Sequence, residues 1–179
     1  MSSDHPELSI GLHWDVSGEE EQPRIDLSAP NAVHDDFLRQ LERFHELFGR
    51  APTHVDSHKH AHREPLAMSV VQELVAPLDV PLRHDGRVRY LGHFYAQWRY
   101  LETELEHVQV PYLQTLLRDE VRDGWTELGC HPGYVTSDFD SVYLTEREVE
   151  RQTLCDPRVK ATIADLGIRL VNYAAWEAA

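Results

Sequence analysis

The chain has 179 residues, which at the usual domain size corresponds to a single domain, 1–179. Its 17 Lys and Arg against 31 Asp and Glu give a net charge of −14, so a nucleic-acid backbone or an anionic membrane surface would repel it. No apolar run approaches the roughly 18 residues that span a bilayer, and no signal peptide is visible. We therefore expect a cytoplasmic globular protein that binds neither nucleic acid nor membrane.

The cysteine and histidine contents favour a metal site over disulfides. Cys130 and Cys155 are the only cysteines, too few for a zinc ribbon or a disulfide framework, and we expect both to be reduced. Histidine occurs 12 times, with four of these residues between positions 54 and 62. Clustered imidazoles in an acidic chain suggest a metal site more readily than a surface for anions.

The first predicted strand carries a histidine on its polar face. Apolar residues occupy every second position from Leu8 to Trp14, so they share one face, and His13 lies on the opposite face. Residues 17–30 contain a glycine, two prolines and three consecutive glutamates, which predicts a loop.

The rest of the chain alternates between predicted helices and strands. Helices are predicted over 32–48, 65–76 and 111–121, from Thr145 in a capping-box sequence, and from Pro157 after an Asp156 cap. Strands are predicted over 53–57, 80–83, 125–130 and 168–173, with an ordered loop over 84–107. This alternation is typical of an α/β fold with a mostly parallel sheet or barrel.

Three polar clusters lie where a predicted strand gives way to a loop. They are His13 with Asp15, Asp56 with His58 and His60, and His131 before Pro132. Functional sites in parallel α/β folds gather at the C-terminal ends of the strands. We therefore expect the three clusters to converge, although they lie far apart in the sequence.

The second cluster has the composition of a metal site. Residues two apart in an extended chain point the same way, so His54, Asp56, His58 and His60 would share one face. Neutral imidazole binds first-row divalent ions, and a carboxylate either extends the choice to manganese or magnesium or orients a ligating histidine. The alternative interpretation is a solvated, histidine-rich loop.

Two further features have a functional and a structural interpretation. His131 stands between a strand and a Pro-Gly turn, either as a general acid or base or as a turn residue with a satisfied ring. Residues 92–98 mix aromatic faces with hydrogen-bonding groups, which suits a sugar ring and makes His93, Tyr95 and Gln97 candidate substrate-binding residues. An aromatic satellite core is the alternative.

Three segments resemble the YdjC-like family, also called the ChbG/HpnK carbohydrate deacetylases. They contain Gly-Leu-His at 11–13, Val-Asp-Ser-His at 55–58 and Cys-His-Pro-Gly at 130–133. Order and spacing agree over nearly the whole chain, and the tail over 156–170 is also similar. The resemblance implies an irregular (β/α) barrel of the polysaccharide-deacetylase-like type.

The resemblance also implies an activity, which is metal-dependent hydrolysis of the acetamide of N-acetylated mono- or oligosaccharides such as chitooligosaccharides. It assigns a divalent ion, Mg²⁺ or Zn²⁺, to His13 and His58, and proton donation to the leaving amine to His131. Asp56 would orient a ligand or the water, and we expect His60 to contact the substrate. Because the family often dimerises, a homodimer is the expected assembly.

One family motif has no counterpart in the sequence. The family begins with a strand that ends in Asn-Ala-Asp-Asp-Phe-Gly, whose aspartates are expected to supply a metal ligand and the general base. The Asp-Asp-Phe at 35–37 is no substitute, because it lies in a predicted helix and Leu38 follows it. We therefore expect the first β/α unit to be missing. The chain would be an N-terminally truncated deacetylase, a catalytically impaired relative that binds metal or sugar, or an incomplete fragment.

Overall fold

Helices outnumber strands in the computed structural model, which describes residues 8–18, 22–99, 101–138 and 140–176. The three consecutive glutamates of the predicted loop, at 19–21, lie outside the described residues. The chain divides into two units, the first within residues 1–87 and 171–179 and the second within 88–170. No helix in the described part of the chain is both long and apolar enough to cross a bilayer.

The first unit pairs two short parallel strands with two helices. The strands are β1 (Leu12–Trp14) and β2 (Val55–Ser57), and helix α1 (Pro30–Phe48) connects them. Helix α2 (Pro65–Val75) follows β2 after a 3₁₀ segment. A strand–helix–strand order with parallel strands is the elementary unit of an α/β fold.

An apolar core joins α1 and α2 to the strands. The fully buried ring of Phe37 meets Trp14 edge-on, with ring centroids 6.0 Å apart. The indole Nε1 of Trp14 donates to Asp36 at 2.9 Å, so the polar atom of this core side chain is satisfied. The other buried residues of this core are Leu12, Val16, Val33, Leu41, Phe44, Val55, Ala67, Val71, Val75 and Leu82.

The second unit contains another parallel pair and three helices. In chain order these are β3 (Arg89–Leu91), α3 (Val110–Glu120), β4 (Thr126–Leu128), α4 (Thr145–Leu154) and α5 (Pro157–Asp165). Strands β3 and β4 are parallel, with Leu91 beside Leu128. A separate core lies under the helices and includes Phe94, Val108, Leu113, Leu116, Tyr143 and Val159.

The five predicted helices are confirmed, whereas the strand predictions are only partly right. The strand predicted over 80–83 is reduced to a bridge between Leu82 and Val55, and 168–173 is not a strand. Leu170 is 75% exposed, so the alternating apolar residues of this segment do not form a buried strand face. Strand β3 lies inside the segment predicted as a loop. It was not predicted because three residues are too few to show a period-two pattern.

The α/β class and the parallel pairing are confirmed. The described strands form two separate two-stranded sheets and do not close a barrel, so the irregular barrel stays a prediction. The single domain likewise stays a prediction.

Candidate functional site

Strands β1 and β2 place His13 and Asp56 side by side. In each strand the two flanking residues are buried, so the central residue projects from the opposite face. His13 and Asp56 are register partners in the parallel pair, so their side chains leave the same face. The Nδ1 atom of His13 lies 2.9 Å from Oδ1 of Asp56.

This contact fixes which nitrogen of His13 carries a hydrogen. An ionised carboxylate only accepts hydrogen bonds, so Nδ1–H donates and the lone pair of the neutral ring is on Nε2. That Nε2 lies 3.4 Å from Nδ1 of His58. A carboxylate behind a ligating histidine orients the ring in many metal sites, which is the role expected of Asp56.

Arg83 holds the other oxygen of Asp56. Its Nη1 lies 2.6 Å from Oδ2, and the two side chains are only 14% and 12% exposed. Burial acts to raise the pKa of Asp56, but the hydrogen bond from His13 and the charge of Arg83 outweigh it, so the pKa lies below its ordinary value. Asp56 is therefore ionised at neutral pH. Arg83 was not among the site residues predicted from the sequence, although it ends the predicted strand over 80–83.

His58 is half-buried beside Asp15. Burial lowers the pKa of His58, and the carboxylate of Asp15 acts in the opposite direction without cancelling it. Asp15 is itself held in place, because its Oδ1 accepts the backbone N–H groups of Ser17 at 3.0 Å and Gly18 at 2.7 Å. An imidazole with a lowered pKa is neutral at pH 7, which is the state that binds a metal ion.

A cavity of about 450 Å³ opens beside His58. This volume lies within the usual range for small-molecule sites. Its wall combines apolar residues with charged and hydrogen-bonding groups. The lining residues are Val16, Ser17, Pro23, Leu27, His58, Lys59, His60, Ala61, Arg63 and Glu64.

The prediction that His54, Asp56, His58 and His60 share one face is wrong for His60. The strand ends at Ser57, and His60 lies in the left-handed region with φ of 55°, so the alternation of an extended chain is lost. His54 stacks on a tyrosine near the C-terminus at 4.0 Å, and the His60 ring meets another histidine edge-on at 5.0 Å. Asp56 and His58 are the members of the cluster that lie against His13.

The His13–His58 pair has the donor chemistry and spacing of part of a metal site. Two nitrogens at about 2.0–2.1 Å from a tetrahedral ion lie about 3.3–3.4 Å apart, which matches the observed 3.4 Å. Nitrogen donors favour zinc over magnesium, which prefers oxygen. Within the described ranges, no three His, Cys, Asp or Glu side chains are grouped to hold a metal ion. The pair fits as a partial ligand set, and the metal stays a prediction.

In the second unit, His131 is exposed beyond the end of β4. Its ring lies 5.4 Å from that of Tyr95 and 5.6 Å from that of Tyr143, measured between centroids. Its backbone N–H donates to Glu150, and its carbonyl accepts from Arg147 at 3.2 Å. Glu150 was not predicted from the sequence. Its one sequence signal is a carboxylate at an apolar position of an amphipathic helix.

The middle of the 92–98 segment is mostly buried in the second unit. Gln97 is buried, and its amide nitrogen donates to the Val142 carbonyl at 2.9 Å and to Glu146 at 2.8 Å. Phe94 is fully buried in the core of the second unit. This part of the segment therefore matches the aromatic satellite core, and the predicted contact of Gln97 with substrate stays a prediction.

Two other residues of that segment differ in exposure. Tyr95 is half-buried and stacks on Tyr143 with centroids 4.8 Å apart. The side chain of His93 is 64% exposed, and its Nδ1 lies 3.5 Å from a carboxylate oxygen of Glu120. Substrate binding by His60, His93 and Tyr95, and convergence of the three polar clusters, stay predictions.

Comparison with known proteins assigns the family. The family model described as YdjC-like protein matches residues 2–165. A carbohydrate deacetylase of Geobacillus stearothermophilus is 30% identical, with 97% of this chain and 78% of that protein covered. A carbohydrate deacetylase of Vibrio parahaemolyticus is 31% identical, with 97% and 69% covered. A chitooligosaccharide deacetylase of Serratia marcescens is 31% identical, with 79% and 59% covered.

A solved structure shares the fold. The crystal structure of a "putative cellobiose-phosphate cleavage protein" of Enterococcus faecalis V583 superposes with a TM-score of 0.76 at 23% identity. The superposition covers 97% of this chain and 80% of that one. The match over residues 2–165 and the relatives at 30% and 31% identity show that the chain belongs to the YdjC-like family.

Proposed function

We propose that this chain hydrolyses the acetamide of N-acetylated sugars to release acetate and the free amine. Relatives named carbohydrate deacetylase and chitooligosaccharide deacetylase, 30% and 31% identical, support this substrate class. The observation that carries the proposal is the pair of imidazoles His13 and His58, whose Nε2 and Nδ1 atoms lie 3.4 Å apart, with His58 lining a cavity of about 450 Å³.

The first unit supplies the groups that would hold a metal ion. His13 and His58 are the proposed ligands of a divalent ion, Mg²⁺ or Zn²⁺, and their nitrogens favour Zn²⁺. When bound, such an ion supplies Lewis acidity, which polarises an amide carbonyl and makes a water molecule more acidic. Asp56 keeps the lone pair of His13 on Nε2, and Arg83 keeps Asp56 ionised and in place.

His131 is the proposed proton donor. Hydrolysis joins a water oxygen to the acetyl carbon and breaks the bond from that carbon to the sugar nitrogen, which must gain a proton as it leaves. An imidazole titrates near neutral pH, so it can hold a proton and release it there. The exposed position of His131 gives a substrate access to the ring.

Acetate release from N-acetylglucosamine oligomers tests the proposal. Wild-type protein is assayed with Mg²⁺, Zn²⁺ and Co²⁺, and His58→Ala is expected to reduce the rate by at least about 100-fold. His34→Ala, which changes an exposed histidine on α1, is the matched control and should retain the wild-type rate. An unchanged rate in His58→Ala would show that the proposed site is wrong.

A second candidate is a protein that binds metal or sugar without turnover. It is favoured by the observation that the described residues supply two facing imidazoles and no grouped third ligand. Calorimetry would then detect binding of N-acetylglucosamine oligomers while no acetate appears with any of the three metals. Appreciable turnover would exclude this candidate. The homodimer and the cytoplasmic location stay predictions under either function.

A further inference from the structure

Side chains of helix α4 form hydrogen bonds with both the backbone N–H and the backbone carbonyl of His131. The N–H of His131 donates to Oε2 of Glu150, and its carbonyl accepts from Nη1 of Arg147 at 3.2 Å. Both partners belong to α4 and are three residues apart, so they lie on the same side of the helix. The peptide groups before and after His131 are therefore fixed to a single rigid element.

The carboxylate of Glu150 is fully buried. Besides the His131 N–H, it accepts the hydroxyl of Tyr143 at 2.5 Å. Acidic side chains are rarely buried completely unless they are paired, because removing a charge from water is unfavourable. A leucine would fill this core position without that penalty, but it could not receive either hydrogen bond.

Tyr143 connects Glu150 to the imidazole ring of His131, because it is hydrogen-bonded to the first and packs against the second. Its hydroxyl also accepts the backbone N–H of Ala96 at 3.1 Å, so the oxygen is held from two directions. The ring stacks on Tyr95 and meets the His131 ring edge-on at 5.6 Å. Glu150 thus fixes the main chain of His131 and, through Tyr143, one of the rings beside its imidazole.

We propose that Glu150 is a positioning residue for His131, with Arg147 as its counterpart at the carbonyl. The inference rests on the proposed function, in which His131 donates the proton to the leaving nitrogen. Fixing the main chain leaves two side-chain torsions to place the imidazole, and the neighbouring tyrosines restrict them. A displacement of about 1 Å at such a donor can reduce turnover by about 100-fold.

Kinetics on N-acetylglucosamine oligomers provide the first test. Glu150→Leu is expected to lower kcat by about 10- to 100-fold and to change KM by less than about twofold. Glu150→Gln can still accept the His131 N–H, so it should retain a clearly larger share of kcat. Glu148→Gln is the control, because Glu148 also lies on α4 and accepts a backbone N–H, that of Val135 at 3.1 Å. Its kcat should stay within about twofold of wild type.

Arg147→Met keeps the proposal testable if Glu150→Leu does not fold. The side chain of Arg147 is half-buried and does not belong to the apolar core of the second unit, although its Nε also donates to the Tyr143 carbonyl at 2.9 Å. A loss of kcat by several-fold with unchanged KM is expected. A rise in KM at constant kcat, for this variant or for Glu150→Leu, would overturn the inference, as would an equal loss of kcat in Glu148→Gln.

An NMR measurement tests the contact without an assay. A hydrogen bond to a carboxylate moves an amide proton downfield, so the His131 amide signal should move upfield in Glu150→Leu and stay in place in Glu148→Gln. A signal that does not move overturns the inference whatever the activity. If the signal moves as expected but His131→Ala keeps full activity, the contact stands and the proposed role of His131 is wrong.

Discussion

Arg83 lies against Asp56, with Nη1 2.6 Å from Oδ2, in a part of the first unit where both side chains are mostly shielded from water. The same carboxylate accepts the Nδ1–H of His13 through its other oxygen. Asp56 therefore links a buried guanidinium to a proposed metal ligand. Its negative charge favours the hydrogen bond that fixes the tautomer of His13.

Replacing Asp56 is expected to weaken metal binding although Asp56 is not one of the proposed ligands. Asp56→Asn keeps the size of the side chain but removes the charge, and we expect Zn²⁺ affinity to fall by about 10- to 100-fold. Calorimetric titration with Zn²⁺ measures this. Glu46→Gln is the control, because Glu46 pairs with Arg43 on the exposed side of α1 and such pairs contribute little. An unchanged Zn²⁺ affinity in Asp56→Asn would contradict the proposed role of Asp56 in orienting His13.

The protein should lose stability as the pH falls from about 6.5 to about 4. His62 is fully buried, and burial together with His84 lowers its pKa from 6.5 to about 4. Between those values the unfolded chain binds a proton that the folded chain does not, so the free energy of unfolding is largest above pH 6.5 and declines toward pH 4. Urea denaturation at several pH values measures the decline.

Two variants locate the origin of that pH dependence. His62→Gln should reduce the decline, although part remains because the pKa of His60 is also lowered to about 4 by burial. His45→Gln changes an exposed histidine on α1 and should leave the decline unchanged. Identical slopes in wild type and His62→Gln would contradict the assignment.

Phe37 is expected to dominate the core of the first unit. Phe37→Ala removes a fully buried ring beside Trp14 and should lower the free energy of unfolding by about 3–5 kcal/mol. Phe48→Ala on the same helix removes a ring that is 37% exposed and should have a clearly smaller effect. Urea denaturation at pH 7.5 compares them, and equal losses would refute the core assignment.

Asp156 should stabilise α5 in a pH-dependent way. Its carboxylate caps the helix by accepting the Arg158 N–H and also pairs with the Arg158 side chain, contacts that lower its pKa to about 2. We expect Asp156→Ala to lower Tm by about 2–4 °C at pH 7. Because the folded-state pKa is lowered, this difference should be full above about pH 4 and shrink as the pH falls toward 2.

The Asp156→Ala difference is measured by thermal denaturation of both proteins at each pH. Asp156→Asn is the matched control, because asparagine can still cap the helix, and it should lie nearer to wild type at pH 7. A difference that stays constant down to pH 3 would show that the carboxylate charge has no part in the cap.

Local sequence determined the helices, because the forces that set them act within a few turns. Apolar spacing along 32–48 predicted the buried face of α1, on which Phe37 and Phe44 lie. The Asp156 cap before Pro157 was also confirmed. One local prediction was wrong in detail: Thr145 is the first helical residue of α4 rather than its cap.

Tertiary structure decided which polar side chains meet. The sequence placed His13 on a polar strand face, but its contact with Asp56 depends on a register between residues 43 apart. Likewise, a period-two rule grouped His60 with Asp56, and a left-handed turn after Ser57 separated them. Strand register and turn conformation result from packing between distant segments, which no short window of sequence contains.

The partners of the candidate site residues show the same division. The sequence alone identified His131 and Asp56 by residue type and by their positions near the ends of strands. Arg83 and Glu150 were recognised only from their contacts with these residues in the structure. In a sequence, a carboxylate or guanidinium cannot be distinguished from ordinary surface charge. Only the folded structure shows that it is removed from water and which polar groups it contacts. The sequence was therefore enough to identify candidate site residues by their chemical type. The contacts between them depend on the tertiary structure, because it brings together residues that are distant in the sequence.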